Sequence, residues 1–335
     1  MTNEELEELL INSIIPNIAR YLDSNNVNPV LVPIVYHQVD EWVMNAKIEC
    51  QFYGLHISRG TLMYLNNLTV SLLSSNLVFP DIGHSDSIIK LNSFGLYDVL
   101  DLEDVNPELI FDIERQQLQK LVFSAMLKIL ILHECTHIIH GHLKYLVNNK
   151  LTQKDLPPLD SQTLELDADC IAISALYHQL FSDLKEHPTL FPVQLRSETG
   201  MIKLLGYSAN FVLQYLVGVG ESNLEKLVTN SHYTNAVKYN LLCSTLVTLM
   251  DAYNPGLSDD LSIWVDFKKD GIYNSSEVID HHSIIDDVKF AFSFEVQCHI
   301  TAIAKNWENM RPKLEPYSHY KLPAINDWSN SKFFN

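Results

Sequence analysis

Residues 131–142 read ILHECTHIIHGH, which places four histidines, a glutamate and a cysteine within about three helical turns. On a helix, His133 and His137 lie one turn apart and point the same way. Two neutral imidazoles at that spacing can grip one tetrahedral zinc, each at ~2.1 Å. Glu134 projects about 100° away, beside such a metal rather than on it. There it can take a proton from a water activated by the metal and pass it to a leaving amine.

The spacing is H-E-x-x-H, the metallopeptidase motif. It ends a long apolar helix, where burying three polar side chains unpaired would be costly; a metal removes that cost. A catalytic zinc takes three protein ligands and a water. His140 shares the face of His133 but lies seven residues on, a rise of ~10 Å, so one straight helix cannot converge all three. A glycine bend that returns a third histidine needs H-E-x-x-H-x-x-G-x-x-H. Here His140 stands at the glycine position and Leu143 at the third histidine, and His142 follows Gly141 with no chain left to fold back.

The third ligand is therefore expected from another helix, and LELDADCIA (164–172) fits. Glu165 and Asp169 are i, i+4 on one face, which Ala172 and Leu176 continue inward. Glu165 would complete a His₂Glu site, and Asp169 could accept the free N–H of a ligand imidazole. The competing explanation is an acidic helix start interacting with its dipole. Asp167 is expected to point elsewhere, into solvent. His140 and His142 are expected to cap the helix end or support the ligands, and Cys135 and Cys170 to be small packing residues beside the site.

His133-Glu-Cys-Thr-His137 followed by Glu165-Leu-Asp-Ala-Asp169 resembles the gluzincin pattern HExxH…ExxxD, especially the ExxAD form of the CaaX prenyl proteases and the HtpX heat-shock protease. Those are membrane proteins. Among soluble proteins the chain is most similar to the phage-exclusion peptidases of the Lit type, whose motif helix continues into Gly-His-Leu, as Gly141-His142-Leu143 does here. The resemblance covers roughly residues 130–240. It implies a zincin-like core with one Zn2+ per chain and an endopeptidase cutting a protein or peptide substrate. It also implies a cytoplasmic target inside a bacterium, in the translation machinery, and phage defence through a latent state relieved by an activating protein or peptide. CaaX-type gluzincins carry His-Pro-x4-Arg after the ligand helix. SHYTNAVKY supplies His232 and Lys238 at the same separation, with Tyr233 in place of proline and Lys238 in place of arginine. The resemblance makes His232 an oxyanion stabiliser and Lys238 its support.

The surrounding chain must position these groups. Its 335 residues are 47% hydrophobic, ample for a sizeable core. A net charge of −18, from 41 acidic against 23 basic residues, repels phosphate backbones; with no basic stripe, no nucleic-acid partner is expected. The scattered Cys50, Cys135, Cys170, Cys243 and Cys298 form no CxxC pair and read as reduced cytoplasmic thiols. The acidic start reads as a helix opened by a Thr2/Glu5 capping box rather than a secretory signal. The apolar runs 121–132 and 211–219 fall short of the ~20 residues of a bilayer span, so no membrane is expected.

The pattern predicts a mainly α (α+β) fold, a zincin-like helical core with at most a small sheet. Its regions are a mostly helical N-terminal one (1–110), the catalytic core (111–260) and a C-terminal extension packed on it (261–335). Helices are expected at 1–22 and 27–48, interrupted by Pro16, Pro29 and Pro33, and at 116–140, 200–217 and 233–252. Another should start near Asp160 or Ser161, after a polar loop. Strands are expected within 47–58 and 86–92, a solvated acidic face at 101–114, a break at 253–260 and a polar loop at 280–287. The rival readings are a catalytically silent zincin-fold sensor or partner-binding protein, and an acidic helical scaffold in which the motif is coincidental.

Overall fold

The computed structural model describes residues 1–49, 52–86, 111–215, 223–230, 232, 234–254, 256–275 and 283–324. Helices dominate, with one three-stranded mixed sheet.

The Thr2/Glu5 capping box opens α1 (Asn3–Leu9), which runs through a π turn (Leu10–Ile14) into α2 (Ile15–Ser24). The wide turn falls where the ring of Pro16 would meet the carbonyl of Asn12 in a regular helix, so Pro16 is absorbed without a break. Leu6, Leu10, Ile14, Ile18 and Leu22, each four residues apart, form its buried stripe.

Residues 27–48 do not form the expected helix. Pro29 opens a short 3₁₀ turn (Pro29–Leu31), and Pro33 pushes the residue before it towards extended geometry; Val32 sits at φ −128°. The β-branched Ile34-Val35 then enters β1 (Ile34–His37), and β2 (Met44–Glu49) follows. The expected 47–58 strand is split between β2 and β3 (Phe52–Ser58). β3 is central, parallel to β1 and antiparallel to β2. Beyond Asp86, the strand expected at 86–92 lies outside the described residues, as does most of 101–114.

Ser58 caps α3 (Arg59–Ser74), a helix buried nearly all round. Asp112 caps α4 (Ile113–Ile139) by accepting the Arg115 N–H, and Gly141, at φ +80°, ends the helical run. A Cβ at Gly141 would lie 2.5 Å from the Tyr317 backbone, so the turn admits no side chain. Among the described residues α4 alone is long and apolar enough to cross a membrane, contrary to the short-run reading. Its best 18-residue window has mean hydropathy 1.5, but 72% of that window is buried inside the fold. It is the core helix.

Packed on α4 are α5 (His142–Asn148), α6 (Pro158–Glu186) and α7 (Glu198–Tyr215), while α8 (Leu224–Thr229) packs on α6 and α9 (Asn235–Tyr253) on α6 and α7. α6 starts slightly earlier than expected because Pro158 is favourable in a first turn. The C-terminal part is mainly helical in its described residues, with α10 (Leu261–Lys268), α11 (Ser283–Ala291) and α12 (Phe294–Leu314) followed by an irregular stretch to residue 324. Residues 283–287, expected in a polar loop, therefore open α11, while His281 and His282 lie outside the described residues.

Arg115 ties the start of α4 to the chain leaving α3. Fully buried, it donates to the carbonyls of Leu73, Ser75, Val78, Phe79 and Ile82 at 2.6–3.0 Å. Burial pushes its pKa down to about 10, with Asp112 opposing. Arg115→Met should destabilise the fold by about 3 kcal/mol, because buried acceptors are left unmatched. Urea unfolding measures this, and a loss below about 0.5 kcal/mol, the scale of a neutral surface change, would refute the clamp.

Candidate metal centre

α4 and α6 pack antiparallel, and their facing turns carry the polar groups singled out in the sequence. His133 Nε2 and His137 Nε2 lie 3.1 Å apart. Glu165 reaches both, with Oε2 at 3.5 Å from His133 Nε2 and Oε1 at 3.8 Å from His137 Nε2. Donors ~2.1 Å from one tetrahedral ion stand ~3.4 Å from each other. The spacing therefore fits a single cation held by His133, His137 and Glu165.

Ring tautomers agree. His133 Nδ1 meets Asp169 Oδ1 at 2.7 Å, which holds a proton on Nδ1 and aims Nε2 at the other donors. Burial works against a charge on His133, but Asp169 and Glu165 outweigh it and raise its pKa well above that of an ordinary imidazole. A cation seated among these donors would take the place of that proton. Burial, then the neighbouring His133, hold His137 well below the usual range and keep it neutral. Glu165 stays ionised: burial opposes its charge, but hydrogen bonds from His133 and His232 outweigh that.

Glu134 stands beside this group. Its Oε2 accepts the backbone N–H of Ala46, on β2, at 2.7 Å. Burial raises its pKa to about 7, with His133 and the Ala46 N–H pulling the other way. A carboxyl group poised near neutrality suits both accepting and returning a proton.

A cleft of about 420 Å³ opens over these groups, floored by α4 and α6 and bounded by Trp42, Met44 and Asn45 of the sheet region. His232 and Lys238 also line it. His232 Nδ1 lies 3.4 Å from Glu165 Oε2. Its loop is held by Gln162 of α6, whose amide donates to the carbonyls of Leu227 and Asn230 at 2.9 and 2.7 Å. Lys238 is buried at the start of α9; burial pushes its pKa down to about 8, against the pull of Asp169 and Glu165.

The structure thus brings together His133, Glu134, His137, Glu165, Asp169, His232 and Lys238. Asp167 departs from expectation: it is 1% exposed and pairs with His140 and His142 instead of meeting solvent. The helix twist turns it under α4, where two histidines offset the cost of burying it. Cys135 is buried and Cys170 contacts Thr245 Oγ1 at 3.4 Å, both as packing residues. Gln153 was missed; from a 3₁₀ turn, its amide donates to Glu165 Oε1 at 2.5 Å. Nothing in its polar loop distinguishes it by sequence. Ala46 was missed too, because its contribution is a backbone N–H.

No protein-family model, no curated protein and no solved structure matches the chain.

Two outcomes test the assignment. The purified chain should carry about one zinc, and His133→Ala, His137→Ala and Glu165→Ala should each lose it by metal analysis. Full affinity in Glu165→Ala with loss in His140→Ala would move the third ligand. Asp169→Asn, which keeps the volume but not the charge on His133, should weaken zinc by roughly 10–100-fold. Unchanged affinity by chelator competition would reduce Asp169 to a helix-surface group.

Proposed function

We propose that this chain is a zinc-dependent endopeptidase, hydrolysing a peptide bond in a protein substrate. The observation that supports this reading most is the position of Glu134, a partly buried carboxyl group next to His133 and anchored to an edge strand by the Ala46 N–H at 2.7 Å. A purely structural metal site gains nothing from such a group.

His133, His137 and Glu165 would hold the ion, which when bound supplies Lewis-acid polarisation of the scissile carbonyl and a more acidic water. Glu134 removes the proton of the attacking water and delivers it to the leaving amine. His232, 3.4 Å from Glu165 in the cleft lining, donates from its ring to the developing oxyanion, an interaction typically worth about 3 kcal/mol. Lys238 adds positive charge nearby but lacks the fork with which an arginine would hold a neighbour rigid. Among the described residues β2 pairs only with β3, so its outer edge, beside Met44 and Asn45, can receive an extended peptide as an added strand.

The motif resemblance supplies the proposed setting: a cytoplasmic protein target, a role in phage defence and an activating protein or peptide. Glu134→Gln should keep its zinc while cleavage falls by about two to four orders of magnitude. Comparing new protein termini in cells expressing wild type and Glu134→Gln tests this. Equal cleavage by the zinc-loaded variant would sink the mechanism, and no new termini with zinc-loaded wild type would favour the silent, partner-binding reading.

A further inference from the structure

Behind the metal donors, buried polar side chains run from His137 away from the cleft. His137 Nδ1 lies 2.9 Å from Nδ1 of His142, the first residue of α5 after the Gly141 turn. Among the described residues His142 Nε2 and Asp167 Oδ1 each lack a hydrogen-bond partner, and His142 Nε2 stands 3.2 Å from Asp167 Oδ2, an ion-pair contact. The same oxygen meets His140 Nδ1 at 2.5 Å, and His140 Nε2 contacts the hydroxyl of Tyr320. His140 and His142 are wholly inaccessible and Asp167 is 1% exposed. The chain bearing Tyr320 is latched to the end of α4, where Ile139 O accepts the His319 N–H at 2.9 Å and the Ser318 hydroxyl at 3.2 Å.

A neutral imidazole has one N–H and one lone pair, so one proton position dictates the next. If His137 presents its Nε2 lone pair to a metal, its proton is on Nδ1 and donates to His142 Nδ1. The proton of His142 is then on Nε2 and points at Asp167. Asp167 also accepts from His140 Nδ1, which leaves His140 Nε2 to accept from Tyr320. Each contact along this series can then be given one proton and no donor meets a donor, while Asp167 Oδ1 stays outside the series.

His140, His142 and Asp167 offer donor atoms within 4.8 Å of one another, so they invite a different reading, as a second metal site. Proton placement argues against it. A metal on His142 Nε2 would force that proton to Nδ1, facing the Nδ1–H of a metal-bound His137 across 2.9 Å.

We propose that Asp167 is the orienting carboxylate of His137, acting through His142, with His140 and Tyr320 fixing Asp167 in turn. The inference rests on reading His133, His137 and Glu165 as the metal donors. Each histidine ligand then has its own acidic anchor: Asp169 directly on His133, and Asp167 at one imidazole's remove on His137. These are positioning residues.

The test measures zinc stoichiometry and affinity by chelator competition for wild type, Asp167→Asn, His142→Asn and the double variant. Wild type should bind one zinc. Asp167→Asn should weaken it by roughly 10–100-fold, the scale of outer-shell losses, with stoichiometry unchanged. In His142→Asn the amide oxygen can replace the Nδ1 acceptor, but the link to Asp167 is cut. Adding Asp167→Asn to His142→Asn should therefore cost nothing further, a non-additivity that general loosening of the fold would not produce. Unchanged affinity in Asp167→Asn, or fully additive losses, would overturn the relay. Two zincs in wild type falling to one in Asp167→Asn would make the cluster a metal site instead. No zinc in wild type would remove the metal-centre reading itself. Should Asp167→Asn fail to fold, His142→Leu decides: wild-type affinity there, with no acceptor left for His137, would refute the proposal.

Discussion

The structure depends on how α4 and α6 bury charge between them. Their seam, closed at one end by His142 of α5, holds four histidines and three carboxylates among leucine, isoleucine and alanine. His140 and His142 are wholly buried, His133 and His137 partly so. Burying such groups singly would be prohibitive, since an unpaired buried charge costs several kcal/mol. The sequence meets this by spacing. Histidines at 133, 137 and 140 follow one helical stripe, and acids at 165, 167 and 169 are distributed over facing turns of the partner. Each carboxylate ends within reach of an imidazole.

This pairing divides the seam into two halves. On the cleft side, His133, His137 and Glu165 bring their donor atoms together at the spacing of one cation, while Gln153 donates to Glu165 and His133 turns its Nδ1 to Asp169. On the far side, Asp167, His140, His142 and Tyr320 contact one another in a series that leads back to His137, with Asp167 Oδ1 left outside it. The difference lies in proton placement: in the far half one hydrogen can be assigned to each contact, whereas the near half turns its Nδ1 atoms outward to Asp169 and His142.

The near half was legible in the sequence because it depends on helical periodicity. The i, i+4 spacing of His133 with His137 and of Glu165 with Asp169 fixes which side chains share a face before any tertiary contact is known. The same periodicity outlined α4, α7 and α9. It failed where tertiary geometry decides. Asp167 looked solvated because a helical wheel does not show that α5 and the chain after α12 close over its face. Gln153 and Tyr320 come from stretches with no regular period. The 27–48 stretch misled because the apolar spacing of VNPVLVPIVY tolerates either period, and Pro33 followed by Ile34-Val35 was the better guide. α3 was missed because serine, threonine and asparagine interrupt its apolar pattern, although nearly all of it is buried.

The contact between Ala46 and Glu134 links the two parts of the proposed active site. Among the described residues β2 is an edge strand, and one of its outward N–H groups, that of Ala46, is already given to the Glu134 carboxylate. Glu134 thus takes its position from the strand along which a peptide would lie, as well as from its own helix. An extended segment that pairs beside Ala46 would carry its carbonyl past Glu134 at a distance set by strand spacing, about 4.8 Å between neighbouring strands. Substrate alignment and placement of the acid–base group then depend on one backbone. Any shift of β2 relative to α4 would disturb both together, which makes the sheet–helix junction, rather than the histidine helix alone, the element that must stay rigid for proton transfer to be productive.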